Sequence, residues 1–249
     1  MSALSDGSAI VIGSFLTTAT FGNASEGNET VLTAAGTRDI FITKYNPAGT
    51  LAWAKSAGGG DGDVGEGIST FSDGSAIVTG YYASTATFGN ASEGGNEIDL
   101  TSDGSNDIFI AKYNPDGTLD WAKSAGGTVD DRGWGISTLS DGSAIVTGWI
   151  QGTTATFGNA SEGNETVLTL VGANDIFIAK YNPDGTLAWA KNAGSLSTDE
   201  GYGISALPDG SAVVTGYFES TATFGALEVN ETPLSSAGGR DIFIAKYSP

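Results

Sequence analysis

"DIFIAKYNPDGTLDWAKSAGG", residues 107–127, reads as two β-strands joined by a tight turn. Pro115 presets φ for the turn, and Gly117 accepts the left-handed position that a side chain would resist. If Pro115-Asp116-Gly117 is a three-residue loop, Asn114 faces Thr118, Lys112 faces Asp120 and Ala111 faces Trp121. Side chains alternate with period two along a strand. Phe109, Tyr113, Leu119 and Trp121 then share one face, and Ile108, Ile110 and Ala122 the other. A sheet apolar on both faces must lie between two other sheets. That requirement predicts an all-β fold, a β-propeller whose blades pack face to face.

The phrase recurs. Trp53, Trp121 and Trp189 are 68 residues apart, and Lys44, Lys112, Lys180 and Lys246 follow at 68, 68 and 66. A second hairpin, "GISTLS" and "SAIVTG" around an Asp-Gly turn, precedes the first in each unit, and Asp-Gly is the strongest short hairpin signal. "TATFGNASEGNETVLT" between the two reads as a rim hairpin, and residues 17–33 and 153–169 are identical. Each unit is therefore inner strand, second strand, rim insertion, third strand, outer strand, and stacking the units supplies the core. The expected blades are 1–59, 60–127, 128–195 and 196–249 in a single domain, the last without its outer strand. A β-solenoid is the alternative, although its coils rarely carry two strong hairpin turns.

Composition narrows the chemistry. Gly makes up 38 of 249 residues, about twice the usual share of roughly 7%, which suits a turn-rich β protein. A net charge of −19 repels phosphate backbones and anionic lipid, so nucleic acid is not an expected partner. No apolar run approaches the length of a membrane span, and the opening "MSALSDGSA" lacks the pattern of an export signal. The absence of Cys and His removes thiol nucleophiles, the commonest general base and the commonest transition-metal ligands. No catalytic residue is assigned, and the chain is not expected to be an enzyme.

"DIFIAKYN", "TLAWAKSAG", the D-x-G-x-G-I-S loop, "DGSAIVTG" and "TATFG" together resemble the bacterial β-propeller repeat often labelled a seven-bladed-propeller repeat. The resemblance covers nearly the whole chain, in four copies and with a longer rim insertion. It implies an extracellular or cell-surface protein, commonly of no known activity.

The loop leading into each inner strand holds the candidate site. It reads D-x-G-[E/W/Y]-G-I-S, with Glu66, Trp134 and Tyr202 at the variable place. The flanking glycines hold that side chain by unusual backbone angles or close approach. Aromatic rings there stack on a sugar face, and Asp63, Asp131 and Asp199 would accept hydrogen bonds from its hydroxyls. The acid pairs Asp61 with Asp63, Asp130 with Asp131, and Asp199 with Glu200 are weak Ca²⁺ candidates, since oxygen ligands suit that ion. Their spacing varies and no twelve-residue calcium loop is present, so loop capping is the plainer reading and no cofactor is expected. The sequence thus points to a non-enzymatic binding module for a glycan or a surface protein, or to a structural or engineered scaffold without a ligand. A four-bladed monomer is the expected state, with a two-chain, eight-bladed ring as the alternative.

Overall fold

In a computed structural model the described residues are 1–225 and 230–248, and they are all-β, built from antiparallel sheets. They form two compact units, residues 1–102 with 109–124, and residues 103–108 with 125–249. Among the described residues no helix is long and apolar enough to cross a membrane.

In the first unit, repeat 1 contains β1 (Ser2–Ala3), β2 (Ala9–Phe15), β3 (Thr18–Phe21), β4 (Thr30–Thr33), β5 (Asp39–Tyr45) and β6 (Leu51–Gly59). Repeat 2 contains β7 (Val64–Thr70), β8 (Ala76–Tyr82), β9 (Thr85–Gly89), β10 (Glu97–Thr101), β11 (Asp107–Tyr113) and β12 (Leu119–Ala125). The sheet orders are β1-β2-β5-β6 and β7-β8-β11-β12, as the repeat predicts, and β9-β10 extends the first sheet at β6. Gly58 and Gly59 of β6 pair with Thr87 and Ala86 of β9, so the rim hairpin of repeat 2 ties the two repeats together.

The second unit repeats the plan. Repeat 3 has β13 (Arg132–Thr138), β14 (Ala144–Gln151), β15 (Thr154–Phe157), β16 (Thr166–Thr169), β17 (Asn174–Tyr181) and β18 (Leu187–Ala193). Repeat 4 has β19 (Glu200–Ala206), β20 (Ala212–Phe218), β21 (Thr221–Phe224), β22 (Thr232–Ser235) and β23 (Asp241–Tyr247). Among the described residues its main sheet is β19-β20-β23, with no counterpart of the strand β18 that pairs with β17 in repeat 3.

One packing detail explains two repeated letters. A Cβ on Gly13, Gly80, Gly148 or Gly216 would lie within 2.7–2.9 Å of the ring of Phe41, Phe109, Phe177 or Phe243. Each of those rings also meets the phenylalanine of its rim hairpin at 4.9–5.1 Å between centroids. The rim hairpin is thus docked on its own blade through an aromatic pair seated over glycine. Each 3-10 turn at the rim is capped by Asn23, Asn90 or Asn159.

The hairpin register differs from the sequence expectation after its first pair. Tyr45 faces Leu51 and Tyr181 faces Leu187, but a bulge then sets Lys44 opposite Trp53 and Lys180 opposite Trp189. The extra residue in the outer strand flips every later side chain. Trp53 therefore shares the isoleucine face and not the phenylalanine face. Its indole lies over Gly117, whose Cβ would sit 2.7 Å from the ring, and its Nε1 donates to the Pro115 carbonyl at 3.1 Å. Phe109, Ala111, Tyr113, Leu119 and Ala122 form the opposite face of repeat 2 and are all buried.

The strand lysines serve the frame. Lys180 meets Asp141 at 3.4 Å, Lys246 meets Asp209 at 3.0 Å, and Lys112 meets Asp120 at 3.1 Å, as predicted for that pair. Such solvent-screened pairs add little to stability.

Candidate functional site

The variable position is a β-bulge. In β7, β13 and β19 the ladder to the second strand skips one residue, between Gly65 and Gly67, Gly133 and Gly135, and Gly201 and Gly203. The skipped residues are Glu66, Trp134 and Tyr202. A bulge re-aims one side chain while the strand continues. None of the flanking glycines adopts positive φ. Close approach is the reason for them: a Cβ on Gly65 would meet Ile12 at 2.4 Å, and one on Gly201 would meet Thr147 Oγ1 at 2.4 Å.

In the second unit the bulges bring two candidates together. Trp134 and Tyr202 meet edge to face, 5.8 Å between centroids, and a Cβ on Gly135 would lie 2.6 Å from the Tyr202 carbonyl. Tyr202 also packs on Tyr217 at 5.8 Å, and the Arg240 guanidinium lies 4.2 Å over the Tyr217 ring while bonding Glu219 at 3.1 Å. The Tyr202 hydroxyl donates to Glu200 Oε2 at 2.7 Å, and burial followed by that acceptor pushes the phenol up to about 12. Trp134 Nε1 is buried without a hydrogen-bond partner. Tyr202 is 44% exposed, the one ring among the large apolar side chains that are exposed in the described residues. Glu66 lies at the equivalent bulge of the first unit. Tyr217 and Arg240 were not anticipated, because nothing in their local sequence marks them as neighbours of the bulge.

The aspartates expected beside these rings lie elsewhere. Asp63, Asp131 and Asp199 are wholly buried, which corrects the expectation that they would face a ligand. Asp63 accepts from the Gly59 and Ala83 N–H groups, Asp131 from Gly127 and Gln151, and Asp199 from Ser195 and Glu219. Each therefore clamps its loop to the end of the second strand of its repeat. A second buried aspartate stands beside each one: Asp39, Asp107 and Asp175, at the start of "DIFI". A Cβ on Gly58 would be 2.8 Å from both Asp39 Cγ and Asp63 Oδ2; one on Gly126 would be 2.8 Å from Asp131 Oδ2 and 3.1 Å from Asp107 Oδ1. Burial, before any other cause, raises Asp63, Asp107 and Asp175 to about 6 and Asp131 to about 7, and it raises Asp199. Asp107 Oδ1 and Asp175 Oδ1 have no hydrogen-bond partner. A proton shared with the neighbouring aspartate would satisfy them and relieve the repulsion of two like charges. The faithful repetition of Asp39, Asp107 and Asp175 was the available signal for these partners.

The calcium candidates are not assembled as sequence neighbours suggested. Asp61 accepts from Ser84 at 2.6 Å, Asp130 is bound by Arg132 at 2.9 Å and by Asn106 at 2.7 Å, and Glu200 takes Asn174 at 3.2 Å as well as Tyr202. Their partners Asp63, Asp131 and Asp199 are buried instead, each taken up by backbone N–H groups of its own loop. Among the described residues no group of three acidic side chains is placed to hold a metal ion.

With this geometry in view, the known relatives agree on architecture. The chain is similar to β-propeller repeats. Residues 99–120 match the family described as a domain of unknown function (DUF5122) beta-propeller. An uncharacterised WD repeat-containing protein of Acanthamoeba polyphaga mimivirus is 27% identical over 213 residues, 76% of this chain. The chain spans only 14% of that relative's length.

Proposed function

We propose that this chain is a non-enzymatic repeat module that binds a carbohydrate through the Trp134–Tyr202 pair. The observation that carries the reading is the exposed Tyr202 ring, held on a glycine-framed bulge against Trp134. A sugar offers an apolar C–H face to such a ring and hydroxyls to its polar edge. Glu200, beside the Tyr202 hydroxyl, supplies the acceptor for those hydroxyls in place of the buried aspartates. Glu66, with no ring, offers no stacking surface at the equivalent place. The resemblance to extracellular repeats is consistent with a surface glycan as target.

The test is titration of a glycan panel against the parent chain and a Trp134→Ala, Tyr202→Ala double variant, followed by calorimetry and tryptophan fluorescence. Loss of affinity in the double variant is the expected result. Unchanged affinity would move the site elsewhere, and no binding across the panel would leave a scaffold without a ligand.

A further inference from the structure

Each repeat has two dissimilar faces, and within a unit they meet in one way. In the first unit Ile40 and Ile42 of repeat 1 pack with Val78, Phe88 and Phe109 of repeat 2, all at 0% exposure. In the second unit Ile176 and Ile178 of repeat 3 pack with Val214, Phe224 and Phe243 of repeat 4 in the same manner. Within each unit an isoleucine face is thus matched by a valine–phenylalanine face.

Two such faces are left open. The equivalents of Ile40 and Ile42 in repeat 4 are Ile242 and Ile244, which are 82% and 74% exposed. Val11, Phe21 and Phe41 of repeat 1, equivalent to Val78, Phe88 and Phe109, are only half-buried. Two neighbouring isoleucines this exposed on one strand face leave a contiguous apolar patch in water. The chemistry that covers them is already present in the chain, at its own opening repeat.

We propose that the isoleucine face of repeat 4 is an interface for a second copy of this chain, which covers it with the valine–phenylalanine face of its repeat 1. The contact sets one face against a different one, and a two-chain ring would make it twice. The pairing extends the packing already seen inside each unit. It does not depend on the carbohydrate reading. A charge of −19 on each copy opposes approach, so added salt should strengthen the association by screening.

Light scattering coupled to size exclusion, at micromolar concentration and at low and moderate salt, tests this directly. The expected mass is twice that of one 25.1 kDa chain, falling to one chain in an Ile242→Asp, Ile244→Asp variant. Those side chains are exposed, so the variant should keep the parent circular dichroism. A Val11→Asp variant blocks the opposite face, and mixing it with the isoleucine variant should restore pairs through the one intact combination. A parent mass of one chain at both salt concentrations would overturn the proposal, as would an isoleucine variant that pairs as the parent does.

Discussion

The buried aspartate pairs should make the stability of this protein fall as pH rises through neutrality. Asp131 is wholly buried, and its carboxyl is raised from 3.8 to about 7. The folded chain therefore holds a proton that the unfolded chain has released. The resulting stabilisation is complete below about pH 4 and is lost as pH climbs through 6 to 7. At about 1.4 kcal/mol for each tenfold change in proton affinity, Asp131 alone accounts for about 4 kcal/mol between these limits. Asp63, Asp107 and Asp175, each near 6, act in the same direction. Their effects overlap, because neighbouring carboxyls share protons. The exposed turn residues Asp6, Asp73, Asp141 and Asp209, held low chiefly by the serine two residues on, act oppositely and only on the acid side. Maximum stability should lie near pH 4 to 5. Thermal melts followed by circular dichroism from pH 4.5 to 8 should then show a fall of roughly 10 °C, by the usual scaling for a chain of this size. Asp131→Asn should flatten the slope. At pH 4.5 it should be less stable than the parent, because its amide must oppose either the Gly127 or the Gln151 N–H. A parent melting temperature that holds or rises from pH 4.5 to 8 would refute the reasoning, by showing that these carboxyls are ionised in the fold.

Trp121→Ala should cost about 3–5 kcal/mol, the usual loss for an emptied large aromatic site, since Trp121 is only 7% exposed; chemical denaturation measures it, and a loss below about 1 kcal/mol would mean the indole is not packed. Gly194→Ala should destabilise by about 1–3 kcal/mol through overpacking, because its Cβ would lie 2.3 Å from Asp175 Oδ1. The penalty should be larger at pH 8 than at pH 4.5, where a protonated Asp175 can yield. An equal loss at both values in denaturant titrations would separate the glycine from the carboxyl.

Strands, turns and strand order were legible in the sequence because they are local. Pro115-Asp116-Gly117 and the Asp-Gly turns fix hairpins within a few residues, and apolar side chains on both faces of "DIFIAKY" demand neighbours on both sides. The sequence also marked Glu66, Trp134 and Tyr202 as equivalent, because two glycines frame each. What it left open depends on residues far apart in the chain. The bulge that turns Trp53 to the isoleucine face is set by how the outer strand leaves its turn and by the seat over Gly117. Asp131 and Asp130 are chemically alike as text, yet one clamps a buried loop and the other meets Arg132. Only the packing of one strand start against the following loop decides which carboxyl loses its water, and loss of water is what raises its proton affinity. The contact of Trp134 with Tyr202, 68 residues away, likewise exists because two bulges on neighbouring inner strands face each other.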